Sequence, residues 1–396
     1  MRVRPAFPLL SLCAVLACAK MEPPPGGPPD LAPPQLLTTR PDSLAQMTRF
    51  TGYVEFRFDE MISEGGTPNR GNGTGGLEKL VILSPTARFP DVGWHRSRIT
   101  VKPSEGWQPN RVYRVELLPG VTDLRRNRSD RGKVVTFTTG APLPDRTLQG
   151  VVVDWSTNRP APLALVEALL VADSLAYRGL ADSTGHFSLG PLPAGGYLVK
   201  GVLDQNHDFR PGEREAFDSV RVEAKDTLVR VGELWTFVHD TTAARIQMIT
   251  VGDSVSATIA FNQFLDPSQR LDAKAVTLRL LPDSSRVEVT SLLPKSVDDS
   301  LHARAPAAPD SAGRDSTRAD TTRRKERARQ GAIQPLTSRP RLSDQLVVRV
   351  SSPWTPEAKY ELELGGVRNV SGVAGEAKGV LAVPRRETRD SLKKGP

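Results

Sequence analysis

The stretch WQPNRVYRVELLPGV, residues 107–121, returns near the other end of the chain as WTPEAKYELELGGV, residues 354–367. Tyr113 follows Pro109 by four residues, and Tyr360 follows Pro356 by four. Val115-Glu116-Leu117 then matches Leu362-Glu363-Leu364, and Gly120-Val121 matches Gly366-Val367. Both stretches alternate apolar and polar residues after the Tyr, the period of a half-buried strand. A Trp, Pro, Tyr, Glu and Leu in one register mark an internal repeat built of strands.

The repeat extends upstream. Phe58-Asp59-Glu60 has a counterpart in Phe261-Asn262-Gln263, with amides in place of acids. Phe58 and Trp107 are 49 residues apart, whereas Phe261 and Trp354 are 93 apart, so the second copy carries about 44 extra residues. Residues 297–340 supply the surplus. They are rich in Ala, Pro, Ser, Asp and Arg and poor in large apolar side chains, with Thr322-Arg323-Arg324-Lys325 as the most basic run. Such a composition buries too little surface to offset chain ordering, and a disordered basic insertion is expected. Long surface loops are tolerated because closure entropy grows slowly with length.

Around the first repeat, alternation recurs at Tyr53–Phe58, Arg98–Lys102, Val112–Leu117 and Val134–Thr138, with a short apolar run at Leu80–Leu83. Pro, Gly, Asn and Asp punctuate the gaps, and no 3.6-residue period intervenes. This spacing predicts an antiparallel β-sandwich over residues 35–141. The middle region reads differently. Leu148–Asp154 opens a strand, and Pro160–Ala168 is read as its continuation after a turn. Asp182-Ser183-Thr184-Gly185 is a turn before His186-Phe187-Ser188-Leu189, and Leu192-Pro193-Ala194-Gly195-Gly196-Tyr197 supplies a second turn with an aromatic core anchor. The fold class is therefore all-β: tandem antiparallel sandwiches over 35–141, 146–237 and 241–384, followed by a charged tail at 385–396.

The Phe-Asp-Glu strand end, the Pro-x-x-x-Tyr-x-Val-Glu-Leu strand and the finish Gly132-Lys133-Val134-Val135-Thr136-Phe137-Thr138-Thr139 resemble bacterial Ig-like domains of the type first described in S-layer proteins. The second copy is a degenerate version, with Leu381-Ala382-Val383-Pro384 replacing the Thr-rich finish. The Asp-x-x-Gly and Leu-Pro-x-Gly-x-Tyr turns of residues 146–237 look like a prealbumin-type, carboxypeptidase-regulatory-like β-sandwich. That resemblance implies a non-peptidase module related in fold to starch-binding and pilin-like modules.

The N-terminus adds a location. Arg2 and Arg4 precede an apolar core at residues 6–16 that is too short to span a bilayer. Val15-Leu16-Ala17-Cys18 resembles the bacterial lipobox. The resemblance implies a signal peptide at 1–17, cleavage before Cys18, and acylation of that Cys, with each buried methylene adding about 0.8 kcal/mol of membrane affinity. An ordinary cleaved signal peptide is the other reading. Residues 18–34, with Pro23 to Pro34, read as an extended tether. Ala19 stands where lipoproteins retained at the inner membrane tend to carry Asp, so the outer membrane is expected. Cys13 leaves with the signal, and with Cys18 lipidated no thiol remains for a disulfide or thiolate metal site.

Chemistry-bearing motifs are sparse. Asp204, Asn206, Asp208 and Glu215 fall at positions 1, 3, 5 and 12 of an oxygen-rich loop, the spacing of a calcium site. Phe209 occupies the sixth position, where a sharp turn favours Gly, and flanking helices are not evident. The loop is thus read either as a structural calcium site or as a turn whose side chains cap its own backbone. The acids of Asp59-Glu60 point to opposite faces of a strand and do not form a catalytic pair. The five histidines, His95, His186, His207, His239 and His302, show no metal spacing, and no Gly-x-Ser-x-Gly elbow occurs. Asn72-Gly73-Thr74-Gly75-Gly76 lacks the strand-to-helix setting of a phosphate loop. Trp107 repeats as Trp354 and so reads as core, whereas Trp155 follows a strand at a turn and is the expected sugar contact. The insertion contributes +3 of the formal net charge of +8, from nine Lys and Arg against six Asp and Glu, and its basic residues are not interleaved with aromatics, which argues against nucleic acid. The sequence predicts a non-enzymatic, lipid-anchored envelope lipoprotein without a cofactor. It would act as an interaction, scaffold or adhesion module, or bind polysaccharide at Trp155; its partners would be the membrane, polysaccharide or envelope proteins.

Overall fold

The computed structural model describes residues 29–64, 76–302 and 339–385. Cys18, the signal peptide, most of the tether and residues 303–338 of the insertion lie outside the described residues. Among those described, no helix is long and apolar enough to cross a membrane.

The first sandwich pairs β1 (Leu36–Arg40), β2 (Val54–Phe58), β4 (Pro90–His95) and β5 (Arg98–Pro103) in the order β1-β2-β5-β4. Against them lies β3 (Val81–Ser84), β6 (Val112–Leu117) and β7 (Lys133–Thr138), in the order β3-β6-β7. Alternation does the sorting. Val54, Phe56 and Phe58 of β2 face Tyr113, Val115 and Leu117 of β6 across a common core. Full burial of each such side chain contributes about 1.5–3 kcal/mol.

The second sandwich contains β8 (Arg146–Asp154), β9 (Arg159–Pro160), β10 (Leu165–Leu170), β11 (Leu175–Leu180), β12 (His186–Leu192), β13 (Gly195–Val202), β14 (Phe217–Ala224) and β15 (Leu228–Thr236). Its sheets are β11-β10-β13-β14 and β12-β8-β15, with β9 on β8. The pair β8–β15 is parallel. One expectation is corrected here. Residues 160–168 do not continue the β8 strand: only Arg159–Pro160 pairs with β8, and Leu165–Leu170 crosses to the opposite sheet. Tyr197 is fully buried and its hydroxyl donates to Pro193 O at 2.8 Å, which closes the Leu-Pro-x-Gly-x-Tyr turn.

The third sandwich repeats the first. Its strands are β16 (Ile246–Val251), β17 (Ser256–Leu265), β18 (Val276–Leu281), β19 (Ser285–Val287), β20 (Val289–Pro294), β21 (Ser343–Val350), β22 (Lys359–Arg368) and β23 (Ala374–Ala382), with helix α1 (Lys295–Leu301) after β20. The sheet orders are β16-β17-β21-β20 and β19-β18-β22-β23. Strand for strand, this matches β1-β2-β5-β4 and β3-β6-β7, with β19 added. Residues 96–97 join β4 to β5, whereas 295–342 separate the equivalent β20 and β21. The start of the insertion is ordered, contrary to expectation. Asp298 of α1 is buried and accepts from Arg349 Nε at 2.7 Å and Nη2 at 2.8 Å, which fastens the helix to β21.

The first two sandwiches share a buried junction. Ile82 packs with Leu165, Val202 and Phe209, flanked by Phe89 and Phe217. Arg178, almost fully buried, donates through Nε to Glu167 at 2.7 Å and through Nη1 to Thr86 at 3.0 Å, and lies 5.0 Å from the Phe89 ring centroid. Thr86 and Ala176 exchange backbone hydrogen bonds, so the sheet edges of two domains meet directly.

Candidate functional site

The sheet β12-β8-β15 turns its inner face to the core through Leu148, Phe187 and Leu189. Its outer face floors a cleft of about 1000 Å³, walled on one side by Arg114 and Glu116 of the first sandwich. The cleft face follows from register. Ser188 pairs with Gln149, and Gln149 with Arg230, so these three side chains form one row across three strands. Two residues along, His186 pairs with Val151 and Val151 with Glu233. Arg230 and Glu233 are three apart and would face opposite ways on a regular strand. A register shift between Arg230 and Gly232 corrects the parity and brings both to the cleft. Gly232 takes φ +86°, a conformation a side chain resists.

Charges within the cleft are largely engaged. Arg114 meets Glu116 at 2.6 Å, and Glu233 accepts from Trp235 Nε1 at 3.0 Å. Asp182 Oδ1 accepts from the Thr184 hydroxyl at 2.6 Å and from the N–H groups of Thr184 and His186 at 2.7 and 3.1 Å. The Thr184 hydroxyl foremost, aided by these N–H groups, holds the Asp182 carboxyl below its usual value against desolvation. Thr184 Oγ1 also lies 2.9 Å from His186 Nδ1. With the Thr184 proton given to Asp182, this network places an N–H at Nδ1 of the imidazole. Asp182 is thereby locked as a turn cap, a poor proton acceptor for catalysis.

Trp155, the expected sugar contact, is not a free platform. It is half-buried, its Nε1 donates to Pro340 O at 3.0 Å, and its ring meets Trp235 and Phe237 edge-on. The Arg339 guanidinium lies 5.3 Å from its centroid and 5.4 Å from that of Trp235. It sits beside the cleft, where the chain returning to the third sandwich crosses the second.

The loop read either as a calcium site or as a self-capping turn is brought together, with its oxygens turned to backbone. Asp204 Oδ2 accepts from Phe209 N at 2.8 Å, and Asn206 Oδ1 from Asp208 N at 2.9 Å. Asp208 Oδ1 accepts from Arg210 N at 2.8 Å, and Glu215 Oε2 from Gly212 N at 2.8 Å. Phe209 adopts φ +58° and sends its ring into the interdomain core. Lys79 Nζ clamps the loop from the first domain by donating to Asn206 O at 2.8 Å. The geometry is that of a self-capped loop which docks two domains.

A second oxygen cluster escaped the sequence reading. Asp30, Glu60 and Asp123 place one carboxylate oxygen each within 4.8 Å of one another, a donor set suited to a hard cation. Asp123 is buried and already accepts from the N–H groups of Arg125 and Asn127 and from Asn127 Nδ2. Burial foremost, then Asp30, Asp123 and Asp59, raise the Glu60 carboxyl above its ordinary value. The three acids are far apart in sequence, so no local motif announces them.

Taken together, the described residues form a tandem array of β-sandwiches, antiparallel except for the pair β8–β15, with a polar cleft on the second. Residues 30–139 match the family model described as bacterial Ig-like domain. No curated protein matches the chain. Among solved structures, it is similar to the N-terminal part of the bacterial S-layer protein SbsC, at 10% identity and TM-score 0.21, covering 36% of this chain and 24% of that one. The chain thus spans about a quarter of the S-layer structure it matches. It is also similar to the 5-hydroxyisourate hydrolase of Klebsiella pneumoniae, at 20% identity and TM-score 0.17 over 24% of this chain and 99% of that one. A DUF3823 family protein of Bacteroides uniformis matches at 10% identity and TM-score 0.18 over 61% of this chain and 100% of that one.

Proposed function

We propose that this chain is a non-enzymatic lipoprotein of a bacterial envelope, anchored through Cys18 and acting as an interaction scaffold. The observation that carries the reading is the buried junction of the first two sandwiches. Arg178 is held there between Glu167, Thr86 and Phe89, beside an apolar core. Linked domains tend to move unless their interface is large and apolar. A fixed junction suits a module that projects a surface away from a membrane. The bacterial Ig-like domain at 30–139 and the lipobox-like Val15-Leu16-Ala17-Cys18 fit this use. In the cleft, Asp182 is committed to its own turn and Glu233 to Trp235, which favours binding over catalysis.

The reading places the protein at the outer membrane, where its partners would be envelope proteins or polysaccharide. Fractionation of cells on a density gradient, with proteinase K applied to intact and to outer-membrane-permeabilised cells, tests it. Recovery with outer membranes is expected, with digestion by the time that membrane is opened. A protein found in the cytosol, protected in both treatments, would refute it.

A further inference from the structure

We propose that the cleft on the second sandwich binds a neutral glycan chain, laid across the rows Ser188–Gln149–Arg230 and His186–Val151–Glu233. The inference rests on the interaction reading above and names the ligand class of its surface.

Three features select the ligand. The first is shape. The cleft's volume, about 1000 Å³, lies at the upper end of the range of small-molecule sites and belongs to an open groove. An elongated ligand fits this better than an enclosed metabolite. Its floor includes Gly232 of β15. A Cβ on Gly232 would meet nothing within 4 Å. Bare backbone is therefore presented where a flat ring can lie against it.

The second feature is charge. Arg114, Arg230 and Arg339 are balanced by Glu116, Asp182 and Glu233. Arg114 is spent on Glu116, and Arg339 lies over two indole rings. A site for a polyanion would carry a surplus of one sign. This one does not.

The third is the pattern of hydrogen-bonding groups. Ser188 and Gln149 touch at 3.3 Å across neighbouring strands, Arg230 continues the row, and His186 presents its imidazole beside it. Neighbouring strands are about 4.8 Å apart, so the row spans roughly 10 Å. It mixes donors and acceptors, as sugar hydroxyls do. An extended peptide would instead pair with a free strand edge through its main chain. These side chains stand on the face of the sheet, and the β-bulge before Gly232 is what turns Arg230 and Glu233 to the same side.

The test is calorimetric titration of the detergent-solubilised full chain with maltohexaose, cellohexaose, mannohexaose and chitohexaose, with polygalacturonate as the anionic comparison. Saturable binding of at least one neutral hexasaccharide is expected. Arg230→Ala and Gln149→Ala should each weaken it about tenfold, the effect of removing one or two hydrogen bonds to a ligand. Ser188→Trp, on an exposed strand position, should block the groove and abolish binding. All three variants should keep the wild-type melting temperature. Failure of every neutral probe, binding that survives Ser188→Trp, or binding of polygalacturonate alone would each overturn the proposal. The membrane location is measured separately, so loss of the glycan site leaves the scaffold reading standing or falling on its own test.

Discussion

The first and third sandwiches solve the same problems with different side chains. In the first, Trp107 donates to Gly52 O at 2.8 Å and stands edge-on to Tyr113, whose hydroxyl accepts from Gln108 N at 2.8 Å. In the third, Trp354 donates to Ser256 O at 3.0 Å and stands edge-on to Tyr360, whose hydroxyl accepts from Thr355 N at 3.0 Å. The motif is therefore a corner that ties the start of one strand to the opposite sheet. Around it the copies diverge. Tyr113 pairs in register with Phe137, and Tyr360 with Leu381. Trp107 also meets Phe50, so the first copy has a four-ring cluster where the third has a pair.

The strand ends show the clearest exchange. Asp59 Oδ1 accepts from Gln35 N, and Asn262 Oδ1 accepts from Arg245 N, both at 2.8 Å. A carboxylate and an amide oxygen fill one role. One residue on, the copies part. Glu60 faces Asp30 and Asp123, whereas Gln263 accepts from Asn369 Nδ2 at 2.9 Å. Asn369 also donates to Asp240 O and Thr242 O, and its Oδ1 accepts from Val373 N. Asp123 likewise accepts from Asn127 N, four residues on. The third copy has turned a cluster of acids into an amide network whose members satisfy one another. Repulsion concentrated in one copy is absent from its sister.

Truncation at the corner gives the largest effect. Trp354→Ala should cost the third sandwich about 3–5 kcal/mol, measured by denaturant unfolding, because a buried ring and a bonded N–H are lost together. A cost below about 1 kcal/mol would deny that the motif is a structural corner. Next, Asn369→Asp should cost about 2–4 kcal/mol, since a carboxylate cannot donate to Asp240 O, Thr242 O and Gln263, and the site is fully buried. A neutral outcome would mean the amide network is incidental. Smaller still is the strand-end cap. Asn262→Ala should cost about 1 kcal/mol, and Asn262→Asp should be nearly silent, because Asp59 already performs that role in the first copy. The smallest effect has the opposite sign. Glu60→Gln imports the third copy's solution and should raise the melting temperature of the first sandwich by about 1–2 °C at pH 7. The folded Glu60 carboxyl titrates above its unfolded value. Its favourable contribution is therefore complete at acid pH and fades as pH rises through the ordinary glutamate value and beyond. The gain from the Gln variant should shrink toward pH 4, and a gain that grew on acidification would reverse this assignment.

Much of this repeat was legible because it rides on bulky residues at fixed spacing. Trp, Pro and Tyr stand out at one site and recur in register at the other. Strands without that contrast were not read. β1 carries Thr38-Thr39-Arg40 on an exposed edge, and β4 contains Pro90 and Gly93. Both lie at sheet margins, where one-sided burial leaves little alternation. The crossing from β8 to β10 was misread because two apolar runs separated by a turn look alike whether or not they share a sheet. The cleft was hidden for another reason. Ser188, Gln149 and Arg230 meet through strand register, and a one-residue bulge decides which way Arg230 points. In the loop at 204–215 the spacing of oxygens was legible, whereas their direction was not. Phe209 at the sixth position was the readable sign that the loop serves packing.

The anchoring of this array is the central claim, and lipid on Cys18 tests it most directly. Cells expressing the full chain or Cys18→Ala would be fed an alkyne-bearing fatty acid, and the purified protein would be probed for label. The account predicts labelled wild-type protein in the membrane fraction and unlabelled Cys18→Ala protein released from it. Wild-type protein without label, or label that persists in Cys18→Ala, would contradict it.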